Sequence, residues 1–526
     1  MTDARENIVG TASVLVSARL VSVVMGLISI PFLIHFLGGE KFGAWALLLA
    51  LSAGFSLFDL GMQPVIFRYL ANPANDGDWT NAQSILGSVW FILACTYATG
   101  LVVALGCAGS LAVWLKLPST ILFSARDAIL WVFAAVALRA FLQTGVSTLY
   151  AMRRFRAAAA SSLLQSLISN VAAIVAAWHF RRLDLTLISY WAAQLCVLGV
   201  VFVVSCQWCR PRLSAAALGL RRLRELCFFG LTSQMNQCSQ FINFQFDKFI
   251  IAAFVGLWAV APYEVANRSA QALRSVPASA ADALLPTAVI RQSTPDSAWA
   301  WYVSSSRIAA YGVCVFMLAP LAVAPMFLYA WTGEMGYVGR WIFLGLILGA
   351  MADVLTLPAA TIAQAGGQPG LQARSAALSI LINIPLSLAL VLNWGLVGAA
   401  IGTGVALTLS SAQLLTAVHR YVGRPISATL RLFANFWPLL LVCIFWGAVS
   451  YALFSAWFAT LDPAIRFSRA IRIYPGLAAI GIYVLCVVTM GWVEWKRGAF
   501  TVAERTSLSR LMKFEWLTGT ATRTKP

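Results

Sequence analysis

The sequence has little charge. Only 11% of its 526 residues are charged, 60% are hydrophobic, and the mean hydropathy is +0.80. An average soluble domain carries about 25% charged residues. This composition excludes an ordinary soluble protein. It predicts an all-α polytopic membrane protein, with membrane lipids as its surroundings and no nucleic-acid partner.

Signals for catalysis and for cofactors are also scarce. The three histidines, His35, His179 and His419, are far apart, and no zinc-ligand spacing is visible. No Gly-x-x-x-x-Gly-Lys-Ser/Thr motif occurs, which excludes an ATP-driven pump within this chain. The ten cysteines lie mostly in apolar runs, where cysteine behaves as a small hydrophobic residue. We therefore expect no enzyme, no metal, no cofactor and no disulfide framework.

Long apolar runs dominate the chain. At roughly 20 residues per span they predict about 14 transmembrane helices. The predicted spans are 8–36, 42–70, 82–114, 121–150, 157–180, 185–208, 227–255, 260–288, 298–331, 340–364, 371–392, 395–419, 430–457 and 471–494. The short connections between them predict no separate soluble domain.

An internal echo suggests two related halves. Phe36-Leu37-Gly38 recurs as Phe254-Val255-Gly256, 218 residues later, and Asn170 has a counterpart in Asn383, 213 residues later. Halves of six spans have the same orientation, as in a parallel repeat. We predict an N-lobe at 1–210, a C-lobe at 211–425, two additional spans at 426–495 and a basic cytoplasmic tail at 496–526.

The positive charges in the loops predict the orientation. With the N-terminus inside, the inner segments hold 22 Lys and Arg residues and the outer segments hold nine. Lys and Arg accumulate on the cytoplasmic side of membrane proteins. We expect both termini in the cytoplasm.

Two predicted spans carry polar stripes that a lipid-facing surface would not tolerate. On the seventh and eighth spans these residues recur every three or four positions and share one side of each helix. They are Ser233, Asn236, Gln237, Gln240, Asn243, Asp247 and Lys248, followed by Glu264, Asn267, Arg268, Gln271, Arg274, Ser275 and Asp282. Ionisable residues inside a membrane commonly mark a substrate or ion path.

Five basic residues within spans are candidates for binding an anionic cargo: Arg19, Arg139, Lys248, Arg268 and Arg274. Four acidic residues are candidates for ion coupling or charge pairing: Asp59, Asp247, Glu264 and Asp353. Structural alternatives stay open for several of them. The i, i+4 spacing of Glu264 and Arg268 suits an ion pair, Lys248 can snorkel, and Asp59 can mark a helix break. Asp247 and Lys248 are adjacent, so they cannot both face one partner.

The order and spacing of several motifs resemble Wzx-type polysaccharide flippases. The opening segment resembles theirs in Arg19, Pro31-Phe32-Leu33, Leu37-Gly38-Gly39-Glu40-Lys41-Phe42-Gly43-Ala44-Trp45 and Phe58-Asp59-Leu60-Gly61. The central segment is similar in Asp247-Lys248-Phe249-Ile250-Ile251, Phe254-Val255-Gly256, Tyr263-Glu264-Val265-Ala266 and Pro286, and the twelfth span in 395–403.

The resemblance implies the fold of the multidrug/oligosaccharidyl-lipid/polysaccharide exporter superfamily: two six-helix lobes around a central cavity, here with two C-terminal helices added. It implies a flippase in the bacterial cytoplasmic membrane that moves a polyprenyl-pyrophosphate-linked oligosaccharide to the outer leaflet, for O-antigen, capsule or exopolysaccharide. Polymerases and glycosyltransferases of the same pathway are the expected partners. Two alternatives remain: a proton- or sodium-coupled multidrug exporter of the same superfamily, or a membrane glycan polymerase or ligase.

Overall fold

A computed structural model describes residues 2–119, 124–209, 218–291, 295–462 and 466–497. All regular elements in these ranges are helical. The main helices are α1 (Thr2–Leu37), α2 (Gly39–Phe55), α3 (Met62–Asp76), α4 (Trp79–Trp114), α5 (Ala125–Ala151), α6 (Phe155–Phe180), α7 (Leu183–Trp208), α8 (Leu220–Phe241), α9 (Asp247–Phe254), α10 (Val260–Arg291), α11 (Pro295–Val313), α12 (Ala319–Thr332), α13 (Glu334–Ala365), α14 (Pro369–Val422), α15 (Ile426–Ala434), α16 (Trp437–Ala459) and α17 (Arg469–Lys496).

Eleven helical stretches in these ranges are long and apolar enough to cross a membrane. One of them is α14, which has non-helical dihedral angles at Gly395. Hydrogen bonds between the two halves of α14 show that the chain turns back at this residue. The Ser375 hydroxyl donates to the carbonyl of Ser410 at 2.7 Å, and Asn383 donates to Thr403 at 3.1 Å. The striped segments α8–α9 and α10 are not among the eleven. The multi-pass all-α architecture is confirmed, and the count of 14 stays a prediction.

We call α1–α7 the N-lobe and α8–α14 the C-lobe, whereas α16 and α17 pack together and onto α12. The predicted boundary at residue 210 falls in 210–217, outside the described residues, as do residues 498–526 of the predicted tail. The exact domain limits therefore stay predictions.

The echoed glycines close equivalent turns. Gly38 separates α1 from α2 with a φ of 84°, and Gly256 follows α9 with a φ of 129°. L-residues with a side chain rarely adopt such angles, so glycine permits both reversals. The two halves of the chain thus share this local device.

The lobes meet along an interlobe seam, where α1–α4 contact α8–α10. At one end of the seam, Gly43 of α2 lies against the backbone of Leu257 and Ala261, so closely that a side chain at this position would clash. At the other end, Gly61 lies against the backbone of Gly230. The lobes therefore touch at both ends of the seam.

Candidate functional site

The polar stripe of the C-lobe begins on an irregular helix. A π-helical turn, Ile242–Phe246, joins α8 to α9 and directly precedes Asp247 and Lys248. Such turns occur often at functional sites. The Asn267 side chain of α10 donates to the carbonyl of Phe244 at 2.8 Å and so ties α10 to this turn. The side chains of Asn236 and Asp282 lie outside the described set.

Lys248, Glu264 and Arg268 form one charged group, which we call the Glu264 cluster. Lys248 Nζ lies 2.5 Å from Glu264 Oε2, and Arg268 Nε lies 2.6 Å from Glu264 Oε1. The Lys248 side chain is 1% exposed, so it does not snorkel, whereas 41% of the Arg268 side chain is exposed. The i, i+4 ion pair expected from the spacing of Glu264 and Arg268 is present. Two cations share one carboxylate, which leaves a formal positive excess.

Arg268 lies on α10, which packs against α1 and α2 of the N-lobe. Tyr190 of α7 is close enough to affect the Arg268 guanidinium electrostatically. Tyr190 itself packs edge-on against Trp45 of α2, with 5.2 Å between ring centroids. The Glu264 cluster therefore lies at the interlobe seam, where a cargo could contact both lobes.

Arg274 and Asp353 form a second ion pair within the C-lobe. Arg274 Nη2 lies 2.6 Å from Asp353 Oδ2, and the two side chains are 18% and 24% exposed. The guanidinium also lies 5.3 Å from the ring centroid of Phe244. This pair ties α10 to α13, and its arginine is less exposed than Arg268.

Asp247 points into a separate network of hydroxyl and amide groups inside the C-lobe. It is fully buried and accepts hydrogen bonds from the hydroxyls of Tyr263 and Thr403, the latter at 2.5 Å. The side-chain amide of Asn383 donates to the Thr403 hydroxyl oxygen at 3.1 Å and to Asn243 Oδ1 at 3.0 Å. Asp247 and Lys248 thus diverge toward different partners, as their adjacency predicts.

The N-lobe candidates lie on other helices. Arg19 is exposed on α1, and Arg139 is half-buried on α5, close enough to Asp59 for their charges to interact. Asp59 accepts from the amide of Gly61 at 2.8 Å, within the break between α2 and α3. Of the predicted site residues, Lys248 and Arg268 meet at Glu264, and Arg274 pairs with Asp353. Arg139 interacts with Asp59.

Sequence reasoning missed two groups of polar residues. Asn383, Ser387 and Thr403 complete the Asp247 network, yet each is a single polar residue in an apolar run. In the sequence Arg222 counts only among the 22 inner charges, but in the structure it donates to Ser84 at 2.6 Å and to Asn81 at 3.1 Å, across the seam. A helical periodicity plot gives no signal for partners that lie more than a hundred residues away.

An apolar cavity of about 350 Å³ lies between α1, α10, α12, α13 and α17. Its wall includes Val24, Leu273, Phe327 and Tyr483, together with Ser269, the neighbour of Arg268. A predominantly apolar cavity beside a charged cluster suits an amphipathic ligand.

These features define a class of protein. The fold is similar to that of the solved structure "Lipid II flippase MurJ, inward closed conformation", with a TM-score of 0.64 and 14% identity over 90% of this chain and 97% of that one. It is also similar to an inward-facing multidrug resistance MATE family transporter of the MOP superfamily, with a TM-score of 0.60 and 16% identity over 80% and 99% of the two chains. A MOP superfamily transporter from Pyrococcus furiosus matches with a TM-score of 0.50 and 13% identity over 79% and 95%. The chain shares the fold of these transporters.

The family follows from the sequence. A family model described as "Polysaccharide biosynthesis protein" matches residues 8–289, more than half of the chain. The chain therefore belongs to this family, and its apolar helices make it a multi-pass membrane protein. No curated protein matches the sequence.

Proposed function

We propose that this transporter flips a polyprenyl-pyrophosphate-linked oligosaccharide from the inner to the outer leaflet of a bacterial cytoplasmic membrane, by alternating access, for surface polysaccharide assembly. The family match supports a polysaccharide pathway. The similarity to MurJ, which is a lipid II flippase, supports a lipid-linked cargo. The loop charges favour cytoplasmic termini.

The observation that carries the proposal is the Glu264 cluster at the interlobe seam. Lys248 and Arg268 share one carboxylate, so the cluster has a formal positive excess. The planar guanidinium of arginine stays charged and pairs bidentately with phosphate oxygens. A pyrophosphate held here could contact both lobes and follow their rearrangement.

The apolar cavity beside the cluster provides a place for the lipid. Ser269 lines the cavity and directly follows Arg268 on α10, so the cavity and the charged cluster lie on adjacent sides of the same helix. The polyprenyl chain would remain in apolar surroundings while the headgroup crosses between the lobes. This arrangement avoids moving some tens of apolar carbons through a polar path, at about 0.8 kcal/mol for each exposed CH₂.

The acidic residues divide into two roles. Glu264 and Asp353 form ion pairs with Arg268 and Arg274, and this geometry suits charge pairing. The carboxylate of Asp247 receives hydrogen bonds from hydroxyl groups and lies in a fully buried network. Burial of an ionised carboxylate is costly, so Asp247 is the residue we assign to a coupling proton or sodium ion.

Complementation tests the charge-binding proposal. Arg19, Arg139, Lys248, Arg268 and Arg274 would each be replaced by alanine and, for the arginines, by lysine in a strain that lacks the gene. Surface glycan is expected to fall most for Arg268→Ala and to recover partly for Arg268→Lys. Arg126→Ala, at the exposed start of α5, serves as the control. Full glycan display in every variant would refute the charge-binding proposal.

A second candidate function is a cation-coupled multidrug exporter. It is favoured by the similarity to the MATE fold and by the buried carboxylate of Asp247. For the Pyrococcus furiosus transporter, reverse polarity of the binding pocket suggests a different function. The charge of the binding site favours an anionic cargo here, because the positive excess of the Glu264 cluster would repel organic cations. Cation-dependent drug resistance on expression, with normal glycan in the deletion strain, would favour the exporter.

A further inference from the structure

Glu264 lies in an unusual position for a residue next to an anion-binding site. Its side chain is 3% exposed, and each of its carboxylate oxygens lies beside a different cation, Lys248 at 2.5 Å and Arg268 at 2.6 Å. Ion pairs at this depth recover little of their desolvation cost. Simple helix stabilisation therefore does not explain why Glu264 is charged.

The contact with Arg268 uses only one part of the guanidinium. Glu264 Oε1 lies against Nε, so the Nη1–Nη2 edge is outside this contact. That edge, which we call the fork, presents N–H donors for two phosphate oxygens at once. With 41% of the Arg268 side chain exposed, an anion can reach the fork.

The second cation makes a counter-charge necessary. Lys248 is fully buried on α9 and shares the Glu264 carboxylate with Arg268. Two like charges that share one carboxylate repel each other strongly in a poorly solvated site. Glu264 offsets this repulsion while the site is empty.

We propose that Glu264 is a resident counter-anion, which offsets one of the two positive charges of Lys248 and Arg268 in the empty carrier and yields Arg268 to the phosphorylated headgroup of the cargo. The inference rests on the proposed function. It assigns Glu264 a role in setting affinity. Competition between Glu264 and the cargo weakens binding enough for release, and the lower positive charge of the empty site allows the lobes to close without cargo.

The second ion pair provides an internal comparison. Asp353 binds Arg274 through both Nε and Nη2, at 2.7 and 2.6 Å. Asp353 thus contacts the Nε–Nη2 edge of the Arg274 guanidinium, and only 18% of the Arg274 side chain is exposed. Removal of the Asp353 charge should affect anion binding far less than removal of the Glu264 charge.

The test measures binding of inorganic pyrophosphate to the purified full-length protein in lipid nanodiscs. Glu264→Gln is expected to bind about tenfold more tightly than the unaltered protein, equivalent to about 1.4 kcal/mol. It should also transport less glycan, because release becomes slow. Asp353→Asn is expected to change the affinity less than twofold. Adding Arg268→Gln to Glu264→Gln should abolish the gain.

Three outcomes would overturn the inference: unchanged or weaker pyrophosphate binding by Glu264→Gln, an equal gain in Asp353→Asn, or a gain that persists without Arg268. If Glu264→Gln does not fold, Glu264→Asp replaces it, and its shorter side chain should give a smaller gain of the same sign. Failure of the proposed function looks different: Arg268→Gln would transport glycan normally, and no variant would bind pyrophosphate.

Discussion

Arg222 closes one end of the interlobe seam. Its guanidinium, at the start of α8, donates to Ser84 at 2.6 Å and to Asn81 at 3.1 Å, both near the start of α4. Hydrogen bonds from a charged group contribute about 1.5–3 kcal/mol each when well shielded. Arg222 is only half-buried, and solvent reduces that value. We expect Arg222→Ala to weaken the closed end by about 2 kcal/mol, which shifts the opening equilibrium about 30-fold.

The assay is a distance measurement between the lobes. Probes on noncanonical amino acids at positions 80 and 220 avoid the ten native cysteines, and both Thr80 and Leu220 are exposed. The distance distribution of Arg222→Ala should gain a longer component. Arg224→Ala, which removes an exposed charge two residues away, should not change it. An unchanged distribution in Arg222→Ala, or an equal change in Arg224→Ala, would refute the reasoning.

Two further predictions concern packing and coupling. A Cβ at Gly349 would lie 2.6 Å from the Cα of Gly404, so Gly349→Val should lower the melting temperature and the expression level. A Cβ at Gly106 meets no atom within 4 Å, so Gly106→Val should change neither. Equal stability of the two variants would contradict this prediction. Asp247→Leu leaves the Tyr263 hydroxyl without its acceptor, at a cost of about 1–3 kcal/mol, so it should melt at a lower temperature than Asp247→Asn. Asp247→Asn should keep the fold but lose ion-driven transport, and coupled transport at the normal rate in this variant would remove Asp247 from the coupling role.

The sequence predicted those features that depend on local spacing. The Glu264–Arg268 pair follows from an i, i+4 interval, and the divergence of Asp247 and Lys248 follows from 100° per residue. The break at Asp59 was one of two open interpretations, and the structure shows it between α2 and α3. Such features need only a few neighbouring residues to be recognised.

Contacts between distant segments could not be predicted in this way. Thr403 meets Asp247 across 156 residues, and Arg222 meets Ser84 across 138. Glycine and alanine dominate the segment around Thr403, and a single threonine in it does not indicate a distant partner. The roles of Arg19 and Arg139 depend on how the lobes move, so they stay predictions.

The central claim is that the basic residues at the seam bind a phosphorylated lipid headgroup. Its most direct test compares the binding of polyprenyl pyrophosphate and of uncharged polyprenol to the protein in nanodiscs, before and after Arg268→Ala. We predict that the unaltered protein prefers the pyrophosphate by about 100-fold, equivalent to about 2.8 kcal/mol, and that most of this preference is lost in the variant. Equal binding of the two lipids by the unaltered protein, or an undiminished preference without Arg268, would contradict the claim.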